Sequence, residues 1–121
     1  MKVCICGSRT ITSYAIVCEA IRRSGLEQRI SLVLSGCARG VDELGKQWAL
    51  ERNIPVKEFR ADLYRWGRGA GFKRNQAMIS EAEALIAVTS GSKDTAHTIK
   101  CAQEKGIFIF VYRVPPTGEK L

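Results

Sequence analysis

The sequence predicts one α/β domain with a doubly wound parallel sheet of about five strands, order 3-2-1-4-5, and helices on both faces. Three observations predict it. Short apolar runs alternate with stretches whose apolar residues recur at helical spacing. Two of the runs, "ISLVL" and "ALIAV", are almost wholly apolar, as strands covered on both faces must be. A chain of 121 residues holds one core of this kind and little more. Right-handed crossovers then leave few topologies. The domain is expected over 1–113, with 114–121 as a C-terminal tail.

The elements follow in order. Val3 to Cys6 reads as the first strand, and a helix starts near Ser13, with Tyr14, Val17, Cys18 and Ile21 as its stripe and Gly25 at its end. Residues 30–34 are the second strand. Val41, Leu44, Trp48 and Ala49 mark the second helix, which Asn53 breaks. The third strand, 54–59, carries Pro55, which suits a sheet edge or a strand start. A third helix is expected over 73–82 with Ala77, Met78 and Ala82 inward. Residues 84–88 form the fourth strand. Thr95 to Lys105 form the fourth helix, with Ile99 and Ala102 inward and Gly106 at its close, and 107–112 form the fifth strand.

In this strand order the reversal falls between strands 1 and 4, and ligands of such sheets bind beyond the strands' C-terminal ends at that point. The loops that meet there are "GSRT" (7–10), "SGCARG" (35–40) and "TSGSKDTAH" (89–97), and all three carry glycine. Glycine lets an anion approach main-chain N–H groups, and a helix start behind the loop adds unpaired donors and partial positive charge. Ser8, Ser35, Ser90, Ser92 and Thr95 bring hydroxyls, and Arg9 and Arg39 can grip a phosphate or carboxylate with two hydrogen bonds. One such loop reads as turn geometry; three that converge read as a binding site, with Gly7, Gly36, Gly40 and Gly91 as its glycines. Asp42 stands in the first turn of the second helix, either as a carboxylate favoured by the helix dipole or as a ligand contact.

Composition narrows the partners. The net charge is +7, and between Lys57 and Asn75 six basic residues face two acidic ones. That basic segment implies an anionic partner or a solvated loop. Tyr64 and Trp66 interleave with its arginines; they can stack on bases, anchor the loop to the core, or form a dimer interface. Five cysteines, no Cys-x-x-Cys pair and one distant histidine, His97, argue against a zinc site or a disulfide framework. Reduced thiols in a cytoplasmic protein are the reading, with no metal, no cofactor and no membrane segment expected. No Walker A sequence or G-x-G-x-x-G fingerprint occurs, and "GRGAGF" has the wrong spacing.

"GSR", "SGCARGVD", "AGFKRN" and "SGSKDTAHTI", taken in order from Gly7 to about Val111, resemble the SLOG superfamily, its small YspA-like members most closely. The superfamily includes the DNA-processing protein of natural transformation and the LOG-type hydrolases. The resemblance implies a Rossmann-like fold and a nucleotide-derived ligand, and many members act in conflict between cells and phages. It also implies that Arg74 reaches a phosphate and that Asn75 caps the helix or contacts ligand. The arginine's place near the expected helix start, against the dipole, points the same way. The hydrolases' motif resembles P-G-G-x-G-T-x-x-E. Thr95 matches its threonine, Asp94 takes the place of its second glycine, and Thr98 that of the catalytic glutamate.

Three readings follow. The first is a module that binds a nucleotide or nucleotide-derived ligand, cyclic ones included, for sensing or sequestration. The second is an N-glycosidic hydrolase with Asp42 or Asp94 as its carboxylate. The third is a single-stranded DNA-binding protein. Self-association into a homo-oligomer is ordinary for so short a domain.

Overall fold

The computed structural model describes residues 1–115. Five parallel strands, β1 (Lys2–Gly7), β2 (Leu32–Ser35), β3 (Val56–Glu58), β4 (Ala84–Thr89) and β5 (Phe108–Arg113), form one sheet in the order β3-β2-β1-β4-β5. That is the arrangement the sequence predicts. Val3 pairs with Val33 on one side and with Ala84 on the other, so β1 is central, and every residue of β4 is buried.

Helices α1 (Tyr14–Arg23) and α2 (Val41–Glu51) cover one face, where Val17, Ile21, Val41 and Trp48 pack on Val3, Ile5 and Ile86. Helices α4 (Ala70–Glu81) and α5 (Lys93–Lys105) cover the other, where Met78, Ile79 and Ala102 meet Cys4, Leu34 and Leu85. Ser13 caps α1 by accepting the N–H of Ile16. The α4 C-terminus is satisfied from outside: the Lys105 ammonium donates to the carbonyls of Ile79, Ser80 and Ala82.

Four expectations need correction. The strand expected over 54–59 shrinks to three residues, because the Ile54 N–H bonds back to Ala49 at the end of α2. The helix expected over 73–82 begins at Ala70, which is itself buried, and its inward stripe runs Asn75, Met78, Ile79 and Ala82. Ala77, expected inward, faces solvent; Ile79 takes the stripe position. Ahead of α4, the stretch read as loop folds into the short helix α3 (Leu63–Trp66), capped by Asp62 on the Arg65 N–H, and a 3-10 turn (Gly67–Gly69). No α3 side chain is buried, so Tyr64 does not anchor this segment to the core.

The expected tail starts on an anchored residue. Val114 is buried and donates its N–H to Thr89. Residues 116–121 lie outside the described part of the chain.

Candidate functional site

The loops after β1 and β4 are tied together by hydroxyls. Ser8 Oγ accepts the N–H of Ser90 and Thr89 Oγ1 that of Gly91, both at 2.9 Å, and the two hydroxyls lie 3.4 Å apart. The loop after β2 is drawn onto the same spot: the Ser8 carbonyl accepts the N–H of Val41, at the start of α2. Gly40 makes this contact fit. Its φ is +76°, and a Cβ there would stand 2.4 Å from the Ser8 carbonyl oxygen. Within the same loop Cys37 has φ 64° without being glycine, with its N–H held by Ser35 Oγ.

A polar network lies under the loops. The Arg74 side chain is 7% exposed. Its guanidinium donates to the Gly36 carbonyl at 2.8 Å, to Asn75 Oδ1 at 2.8 Å, and to Asp94 Oδ2 at 3.3 Å. Asn75 is buried, and its amide nitrogen donates to Asp94 Oδ1 at 3.0 Å and to His97 Nδ1 at 3.1 Å. His97 stacks on Phe72 with ring centroids 4.0 Å apart. The dipole argument for Arg74 fails here: with α4 starting at Ala70, Arg74 is beyond the first turn, and its charge is met by Asp94.

Asp42 is buried, and its Oδ2 accepts the Ala38 N–H at 3.2 Å. Burial pushes its carboxyl up to about 6, against the opposing pull of that N–H and of Arg74. The group staples the loop after β2 onto the first turn of α2.

Above this network lies a cleft with two lobes. One, of about 550 Å³, is lined by Gly36, Cys37 and Arg39 of the β2 loop, by Arg60, Ala61 and Leu63, and by Gly71 and Arg74 of α4. The other, of about 430 Å³, is lined by Gly7, Ser8 and Thr10 and by Ser90, Gly91 and Ser92. Arg9, Ala38 and Asp94 border both. Four arginines and one carboxylate therefore face the space. Arg9 and Arg39 form no ion pair among the described residues. An anion entering the cleft meets guanidinium groups that carry no competing carboxylate.

The remaining expected residues stand behind this wall and line neither lobe. Ser35 holds Cys37, Gly40 lets the loops meet, Asp42 staples and Asn75 orients Asp94. Thr95 is buried and accepts the Ser92 hydroxyl at 2.7 Å. Not singled out from the sequence were Thr10, Cys37, Ala38 and Thr89 within the quoted loops, and Arg60, Ala61, Leu63 and Gly71 outside them. Ala38 works through its main chain and Thr89 closes an apolar run, so neither carries a side-chain signal. Arg60 and Leu63 reach the cleft only through the path of the α3 segment.

A parallel doubly wound sheet with an arginine-lined cleft at its switch point defines a Rossmann-like α/β domain, and the cleft lies where ligands of such sheets bind. The model of the family described as YAcAr: YspA, cpYpsA-related SLOG family matches residues 1–66, more than half of the chain. The chain belongs to this family, and membership suggests a nucleotide-related ligand-binding or hydrolase-like role. The matched span carries the β1 and β2 loops; Arg74 and the β4 loop lie beyond it. No curated protein and no solved structure matches the chain.

Proposed function

We propose that the cleft holds a nucleotide or nucleotide-derived ligand, cyclic ones included, for sensing or sequestration. The observation that carries this reading is the pair of arginines, Arg9 and Arg39, without an ion-pair partner among the described residues, over loops whose hydroxyls and glycines hold one another in place. In this reading a phosphate sits in the smaller lobe between Arg9 and the loop ahead of α5, where the helix start adds partial positive charge, and Arg39 lines the adjoining lobe. The nucleoside then occupies the larger lobe, against Leu63 and Ala61.

A second reading, N-glycosidic hydrolysis, draws support from Asp94. It borders both lobes, where a carboxylate could stabilise positive charge developing on a ribose. A third, single-stranded DNA binding, draws support from the exposed Tyr64 and Trp66 among Arg60, Arg65 and Lys73.

Mass spectrometry of small molecules released by denaturing the freshly purified protein separates these. Intact nucleotide near one per chain is the expected result and names the ligand. Free base with ribose phosphate favours hydrolysis. Recovery of neither, together with oligonucleotide binding that weakens steeply with salt, favours the third reading.

A further inference from the structure

The two edges of the sheet differ. β3 has three residues, follows Pro55 and carries the charged Lys57 and Glu58, features that discourage pairing with another strand. β5 is paired with β4 over all six of its residues, none of them buried, and it has no proline and no charge before Arg113. Its sequence, Phe-Ile-Phe-Val-Tyr-Arg, leaves Phe108 49% exposed and Phe110 and Tyr112 half-covered on the α1 face. Ile109 and Val111 lie on the α5 face.

From Phe108 to Tyr112 the pattern is aromatic, aliphatic, aromatic, aliphatic, aromatic, and it reads the same in both directions about Phe110. An antiparallel copy centred on Phe110 sets Phe108 against the partner's Tyr112, Ile109 against the partner's Val111, and Phe110 against itself. Cross-strand aromatic and β-branched pairs of this kind stabilise sheets. Arg113 falls opposite the partner's Ile107, so no like charges within the strand face each other.

The geometry points to a second copy of this chain as the occupant of the β5 edge, joining two sheets into one continuous ten-stranded sheet. The cleft stays open, because it lies at the C-terminal ends of the inner strands.

Sedimentation at rising concentration tests it. Wild type is expected at twice the 13.4 kDa chain mass. F110K and F110E each set like charges opposite one another across the axis and are expected as monomers; an equal mixture is expected to recover the dimer. A monomeric wild type, or dimeric charge variants, overturns the proposal. Hydrogen exchange of wild type settles the matter should the variants misfold. Protection that rises with concentration at the β5 amides not bonded to β4 supports self-pairing; protection of those amides that persists where sedimentation shows a monomer, or none at the highest concentration, overturns it.

Discussion

Arg74 lies 3.3 Å from Asp94, and the same guanidinium holds the Gly36 carbonyl at 2.8 Å, so one side chain on α4 joins the loop after β2 to the start of α5. Both lobes of the cleft rest on this link. Removing it by R74A leaves the Gly36 carbonyl and Asn75 Oδ1 without their donor, and Asp94 with Asn75 alone. Since Asp94 is 40% exposed, water compensates part of the loss, and the expected cost is about 2 kcal/mol. R74K keeps the charge but not the forked geometry, and recovers less than half of it. Urea denaturation of the three proteins measures both.

Arg9 and Arg39 have no such structural duty. R9A and R39A should each weaken binding of the species recovered from the purified protein about 10- to 100-fold, the equivalent of one charge-assisted hydrogen bond. Their melting temperatures should stay near wild type, because surface changes move stability by only about 0.5 kcal/mol. Calorimetric titration and thermal melts together check the split. Equal loss of stability and affinity would refute it.

Gly40 and Gly91 offer a contrast. Both have positive φ, but a Cβ at Gly40 collides with the Ser8 carbonyl, whereas one at Gly91 meets nothing within 4 Å. G91A should cost only the conformational strain, on the order of 1 kcal/mol. G40A adds a steric clash with main chain and should cost at least about 3 kcal/mol. Chemical denaturation ranks the two.

Asp42 sets a pH dependence. Its carboxyl rises from 3.8 to about 6 on folding, so the native state binds its proton more tightly than the unfolded chain. The stabilising contribution is full below about pH 3.8 and is lost as pH climbs through about 6. At pH 7.5, D42N should therefore be more stable than wild type by roughly 1–3 kcal/mol, since the amide oxygen of the replacement still accepts the Ala38 N–H and carries no charge to desolvate. Below pH 4 the two should converge. Denaturation of the pair from pH 3.5 to 8 tests it; a gap that widens on acidification would be the wrong sign.

The strands were legible because β1, β2 and β4 are buried on both faces, which forces continuous apolar runs such as Ala84 to Val88. Right-handed crossovers narrowed the strand order to a few topologies, and the doubly wound one among them is the one found. What escaped was local. The three glycines of "GRGAGF" masked the helical continuity of Ala70 to Phe72, since glycine disfavours helix only weakly against tertiary packing. The phase of α4 was misjudged because its buried stripe contains a polar residue, Asn75, in place of an apolar one. At the site, the loop residues that line the cleft announced themselves as arginine, serine and glycine, whereas Arg60 and Leu63 did not. The burial of Asn75 and the pairing of Arg74 with Asp94 depend on how α4 packs beside α5, which no spacing in the sequence encodes.

The hydroxyl ties between Ser8, Thr89, Ser90 and Gly91 have a thermodynamic consequence. The smaller lobe is held by the protein's own hydrogen bonds, as an extension of the two innermost strands. Under the proposed function, an anion bound there would leave little backbone entropy to lose. The lobe's selectivity then rests on its fixed width, and a guest of the wrong shape gains nothing from the loop's yielding.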